Sequence, residues 1–201
     1  MSMTSGIVLT NAMSVSLLAG AILGARHAVE ADHLAAVATM VNSERHGPMM
    51  GLWWALGHML PIAIGGLAAV ALGLIMPTWV ATTAETIVGV MLIGLGIISI
   101  LPSIHVLSID NQRSLTHRGS FVVGIVHGLA GSGAMILILT STAGDIPMAV
   151  LFLSGVGGGS IFTMVLLAGL WSQLQHRQAA LRWVAGLLSL LLGAGILAGV
   201  V

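Results

Sequence analysis

Within the apolar run from Ile7 to Val41, one arginine, two carboxylates and two histidines crowd into Arg26-His27-Ala28-Val29-Glu30-Ala31-Asp32-His33. A charged group at mid-bilayer costs roughly 2.5–3.5 kcal/mol on insertion scales, so such groups face a bundle interior, pair with one another or hold an ion. The H-x4-D-H spacing of His27, Asp32 and His33 offers two imidazole nitrogens and one carboxylate oxygen within seven residues. That donor set suits a divalent transition metal. The competing reading is a helix packed by buried Arg–Glu and His–Asp pairs, with no ion. Buried pairs often cost more in desolvation than they return. Five polar groups in eight residues therefore favour use over packing.

On a regular helix of about 100° per residue, His27, Glu30 and His33 share one broad face, while Asp32 falls at its edge or beyond. Local unwinding would gather the three donors and free backbone groups to join them. Gly20 and Gly24 stand just before the cluster and make a break there reasonable. A guanidinium beside a cation site would repel the ion. Arg26 is therefore expected to pair with Glu30 one turn later, which leaves Asp32 as the principal charged ligand.

Two more histidines lie inside apolar segments: His58, in Leu56-Gly57-His58-Met59-Leu60-Pro61, and His127, in His127-Gly128-Leu129-Ala130-Gly131-Ser132-Gly133. Each could simply bond a neighbouring helix. Each also suits a ligand, or a step on an ion path. Gly57 permits close helix approach, and Pro61 frees a backbone carbonyl. The small residues after His127 account for tight packing but not for the histidine. Gly155-Val156-Gly157-Gly158-Gly159-Ser160 reads as close packing too. His46, His105, His117 and His176 fall in loops and read as solvated. The twelve methionines are scattered apolar filler. Without cysteine there are no thiolate ligands, disulfides or redox motif.

The elements that must position these groups are membrane helices. Of 201 residues, 57% are hydrophobic and 6% charged, and the mean hydropathy is +1.09. A soluble domain carries about 25% charged residues. The zero net charge, with six arginines and no lysine, argues against nucleic acid as a partner. The N-terminus lacks a basic n-region before Arg26 and reads as part of the mature chain. A span needs about 20 mostly apolar residues. Six segments qualify: Ala12–Val41, Met49–Ile75, Thr83–Leu101, Gly119–Ser141, Ile146–Trp171 and Ala179–Val201. The first is too long for one upright helix, so it is tilted or broken. The expected fold is all-α: one transmembrane domain, 1–201, of six helices.

Arginine sets the orientation. Arg45, Arg113, Arg118, Arg177 and Arg182 all fall on one side of a six-span map, which predicts that side as cytoplasmic and both termini outside. Gly24-Ala25-Arg26-His27 also matches Gly124-Ile125-Val126-His127 in placing a histidine three residues after a glycine. Three spans per half, in 1–101 and 119–201, would make an inverted repeat of the kind transporters use.

Arg26-His27-Ala28-Val29-Glu30-Ala31-Asp32-His33 resembles the signature R-H-A-x-D-A-D-H of the nickel/cobalt transporter family. Leu56-Gly57-His58 resembles that family's next signature, L-G-H-S. Gly124 to Gly133 and Leu151 to Met164 look like its short members, described as urease-accessory nickel permeases. Glu30 stands where the family has aspartate, and Met59 where it has serine. The later acidic motif L-G-F-D-T-A-T-E of longer, eight-span members has no acids here in Gly128 to Ile136. The resemblance implies Ni2+ or Co2+ as the transported substrate, with no prosthetic group, in the cytoplasmic (inner) membrane of a prokaryote.

The expected function is thus movement of Ni2+ or Co2+ through a site of His27, Asp32 and His33. His58 and His127 would complete the path, and Arg26 and Glu30 would support it. The chain is not expected to be an enzyme. Its partners are the ion and the bilayer, and a homo-oligomer is open. No G-x4-G-K-[ST] motif is present, so a gradient or the membrane potential would drive transport. An inside-negative 100 mV contributes about 4.6 kcal/mol to inward movement of a divalent ion, which favours uptake over export. The alternatives are an intramembrane zinc hydrolase, for which three ligands and a water would serve, and a metal-binding subunit of a larger complex.

Overall fold

Every described element is helical, as the long apolar segments require in a solvent that cannot bond a free backbone. The structure is a computed structural model. It describes residues 3–41, 47–73, 77–101, 117–142, 145–175 and 179–200, and within these the side chains of all but 3–9, 81, 130–142, 175 and 179. The helices are α1 (Met3–His27), α2 (Ala31–Met40), α3 (Gly47–Leu72), α4 (Thr78–Ile100), α5 (His117–Thr142), α6 (Ile146–Gln175) and α7 (Ala179–Leu197). Among the described residues, four helices (α3, α4, α6 and α7) are long and apolar enough to cross a membrane. The bent pair α1–α2 makes a fifth candidate. The expected segment Gly119–Ser141 corresponds to α5.

The first expected segment is broken, but not at its glycines. α1 runs unbroken through Gly20 and Gly24, and the chain bends by 61° between α1 and α2, at Ala28–Glu30. Gly20 and Gly24 serve packing instead. A Cβ on either would strike the backbone carbonyl of Phe152 or Val156 on α6. From the other side, Gly155 and Gly159 lie against the carbonyls of Leu17 and Ala21. Close approach through small residues is how helices associate where lipid removes the hydrophobic drive. The same device joins α3 to α5: Gly57 meets Phe121, Gly124 meets Trp54, and Gly128 meets His58. In both pairs the residue numbers rise together, so the helices run parallel. In α4 and α7, Gly89 meets Gly193 while Gly96 meets Gly186, so that pair is antiparallel.

The short α2 folds under the bundle. Its Ala35, Ala36, Val37 and Met40 join a core with Trp54, Leu92, Met164 and Ala168. Trp171 Nε1 donates to the Ala38 carbonyl at 3.0 Å and ties α6 to α2. Leu18, Ile22, Ile64, Phe162 and Leu191 stand exposed on the outer faces, where a bilayer would cover them. The loop residues on which the orientation rests, Arg45, Arg113 and Arg177 among them, lie outside the described residues, as do His46, His105 and His176.

Candidate metal site

The break between α1 and α2 builds the site. After His27 the helix closes with the Val29 N–H on the Arg26 carbonyl (3.2 Å) and the Glu30 N–H on the His27 carbonyl (3.1 Å). Glu30 then takes an extended conformation (φ −63°, ψ 151°) and starts α2, its carbonyl accepting from Leu34 N at 3.0 Å. The turn keeps His27 and His33 in reach of each other, with ring centroids 4.4 Å apart. On one continuous helix they would sit six residues, about 9 Å of rise, apart. Asp32 lies in the first turn of α2, where free N–H groups favour a carboxylate. Its Oδ1 accepts the His33 backbone N–H at 2.9 Å.

Three imidazoles converge by the same nitrogen. His27 Nε2 lies 3.2 Å from His58 Nε2, and His33 Nε2 lies 3.4 Å from the same atom. The opposite edges of two of these rings are held by carboxylates: His27 Nδ1 donates to Glu30 Oε2 at 2.8 Å, and His33 Nδ1 to Asp32 Oδ1 at 3.0 Å. A carboxylate accepts only, so each Nδ1 carries the proton and each Nε2 presents a bare lone pair. His58 completes the trio, and its Nδ1 is buried with no partner. If His58 bears its proton on Nε2, it satisfies one of its two neighbours. If on Nδ1, that N–H is orphaned and three lone pairs face one another. Neutral rings alone leave three lone pairs facing one another when that proton is on Nδ1; a cation at the centre would satisfy those lone pairs.

His127 joins from α5. Its Nε2 donates to Asp32 Oδ2 at 2.9 Å, and its ring lies 4.3 Å from that of His33 between centroids. Its Nδ1 is buried without a partner. Two sets of three therefore have their donor atoms within 4.8 Å of one another: His27, His33, His58, and Asp32, His33, His127. His33, His58 and His127 are fully buried and His27 nearly so. The Asp32 side chain is 24% exposed and that of Glu30 51%, so the site opens on its carboxylate side.

The structure corrects the expected Arg26–Glu30 pair. The turn at Ala28–Glu30 removes the helical register that would bring them together, and Glu30 turns to His27 instead. Arg26 stands exposed on the outer face of α1. Asp32, expected as the principal charged ligand, spends both oxygens on His33 and His127. His117, expected in a loop, is the exposed first residue of α5, its ring 6.4 Å from that of Trp53.

Three further residues bear on the site or on the helices that hold it, of which Ser160 ends the Gly155–Ser160 segment read above as close packing. Trp54 is fully buried, its ring 5.6 Å from His33 and 5.7 Å from His127, and its Nε1 has no partner. Its place one turn before His58 on the same helix face was a readable sign. Ser160 Oγ donates to the Gly24 carbonyl at 2.9 Å across the α1–α6 contact. Ser120 is fully buried with an unpartnered hydroxyl. Ser120 carries no sequence signal apart from its apolar surroundings.

No family model matches the chain, and no solved structure matches it. Among curated proteins it is similar to the urease accessory protein UreH of Bacillus sp. (strain TB-90), 28% identical over 165 residues. The match spans 74% of this chain and 72% of that protein. The chain is thus a helical protein with segments long and apolar enough to cross a membrane, and it is similar to a urease accessory protein.

Proposed function

We propose that this protein carries Ni2+ or Co2+ across the cytoplasmic membrane, inward, through the histidine cluster at the α1–α2 break. The observation that carries the reading is the convergence of three Nε2 atoms backed by two carboxylates. For metal–nitrogen bonds of ~2.0–2.1 Å, ligand nitrogens stand ~2.9 Å apart at right angles and ~3.4 Å apart at tetrahedral angles. The separations of 3.2 and 3.4 Å fit within that range. Carboxylates that hold the far nitrogen of a ligating imidazole fix its tautomer and raise its basicity. The likeness to a urease accessory protein agrees with the resemblance of Arg26–His33 to the nickel/cobalt signature. The trio contains no charged ligand, which suits an ion that must leave again.

Six crossings in an inverted three-plus-three arrangement are part of this reading. If Gly24 is matched to Gly124, Ala21 falls on Phe121 and His27 on His127. If Val156 is matched to Trp54, Gly159 falls on Gly57. The contacts then exchange: Gly24 with Val156 becomes Gly124 with Trp54, and Gly159 with Ala21 becomes Gly57 with Phe121. The parallel α1–α6 and α3–α5 pairs and the antiparallel α4–α7 pair also suit alternate crossings. A hydrolase is less well served, because both carboxylates beside the trio are engaged in holding imidazoles, which leaves no free general base there among the described residues.

Purified protein in proteoliposomes with an inside-negative potential should take up Ni2+ or Co2+ in preference to Zn2+. Equal rates in empty liposomes would end the transport reading. Orientation is checked separately. The chain has no cysteine, so a Ser114→Cys variant should react with an impermeant thiol reagent only from the cytoplasmic side. Labelling only from outside would invert the map.

A further inference from the structure

The geometry points to two successive ion stations that share the His33 ring, the ion passing from the His27–His33–His58 trio to the Asp32–His33–His127 trio. This rests on the transport reading above. His58 and Asp32, one from each set, meet the His33 ring at opposite nitrogens. The first uses His33 Nε2, 3.4 Å from His58 Nε2. The second uses His33 Nδ1, 3.0 Å from Asp32 Oδ1, while Asp32 Oδ2 reaches His127 Nε2 at 2.9 Å. A neutral imidazole has one lone pair and one proton. With an ion on Nε2 the proton sits on Nδ1 and is held by Asp32, which is the arrangement present. With an ion on Nδ1 the proton must sit on Nε2. The stations therefore exclude one another, and one chain holds one ion.

The hand-off needs no net proton. His33 moves its proton from Nδ1 to Nε2. His127 moves its own from Nε2, now bonded to Asp32, to Nδ1. That Nδ1 is buried and unpartnered, so no neighbouring donor or acceptor fixes it in either tautomer. The ion gains a carboxylate ligand, Asp32, as it leaves two imidazoles. The fold supplies a reason for two stations rather than one. His27 ends α1 and His127 lies in α5 at matching points of the two like contacts, each three residues after a glycine packed on a partner backbone. In an inverted arrangement these helices face opposite sides of the membrane. The station at His27 belongs to the entry half and the one at His127 to the exit half.

The test separates binding from transfer, in the full chain reconstituted in nanodiscs and in proteoliposomes, with Co2+ or Ni2+ alone as probe. Wild type should bind one ion per chain. His27→Ala should lose affinity by more than the ~10–100-fold that loss of an outer-shell partner costs. His127→Gln keeps a side chain able to donate to Asp32 but offers no imidazole. It should bind within about tenfold of wild type, the lower end of that outer-shell range, while uptake falls to the level of empty liposomes. His127→Ala should behave alike, and the retained binding of either variant shows that it is folded. Two ions bound at once, equal loss of affinity in the His27 and His127 variants, or unimpaired uptake by both His127 variants would each overturn the two-station scheme while leaving transport standing. Wild type that neither binds nor moves either ion would instead end the transport reading, and this inference with it.

Discussion

Replacing His33 by alanine should abolish ion uptake while the protein remains in the membrane at its normal level. His33 alone belongs to both sets of converging donors, and both its ring nitrogens are engaged. Alanine removes one of three converging Nε2 atoms and leaves Asp32 without one of its imidazoles. Loss of an outer-shell partner typically costs ~10–100-fold in affinity; loss of a direct ligand should cost more, enough to bring uptake to background. The ring is fully buried, so truncation also leaves a cavity. His33→Gln, nearer in volume, keeps the comparison fair. His117→Ala, at the exposed start of α5, should transport normally. Measured uptake of radioactive Ni2+ or Co2+ by His33→Ala at the wild-type rate would remove this site from the mechanism.

The second large effect is expected at Asp32. Its carboxylate accepts from the His33 backbone, the His33 ring and the His127 ring. Asparagine keeps one acceptor oxygen but turns an NH2 group toward the other donor. Asp32→Asn should therefore weaken ion binding by about 10–100-fold, the range for lost support of a ligating imidazole. Asp32→Ala should fall further. Glu30→Gln should cost least of the three, because Glu30 is half exposed and holds a single ring. The Co2+ absorption spectrum separates support from ligation. If Asp32 holds the rings while the ion rests among three imidazoles, the bands of bound Co2+ keep their positions in Asp32→Asn as affinity drops. Bands that move as for exchange of an oxygen ligand, or unchanged affinity, would contradict this role.

Much of the fold was legible because the bilayer leaves few options. Long apolar runs with six arginines and no lysine implied helices from end to end, and hydrophobic length set their approximate bounds. The crowding of Arg26 to His33 in an apolar segment marked the place of the chemistry, since polar groups in lipid need a partner. His58 and His127 stood out for the same reason.

The sequence could not say which way the first segment would yield. Gly20 and Gly24 looked like the hinge, yet they are filled by the backbone of α6. A glycine that lets a helix bend and one that lets a neighbour approach look alike in one dimension. The bend fell on Ala28–Glu30, where no glycine or proline announces it. Helical spacing then misled on Glu30, because one turn of separation implies contact with Arg26 only if the helix continues.

Composition and patterning by themselves determined that this chain is a bundle of membrane helices with donors suited to a divalent ion. The division of labour among those donors was left to the tertiary structure. His58 and His127 lie on helices distant in sequence; the α3–α5 contact through Gly57, Gly124 and Gly128 brings the two helices together, and the packed bundle sets both rings beside that of His33, at 4.8 and 4.3 Å between centroids. Which nitrogen of each ring faces inward, and which carboxylate stands behind it, depends on distances of a few tenths of an ångström. Residue types and spacing carry no information at that scale; packing of the finished bundle does.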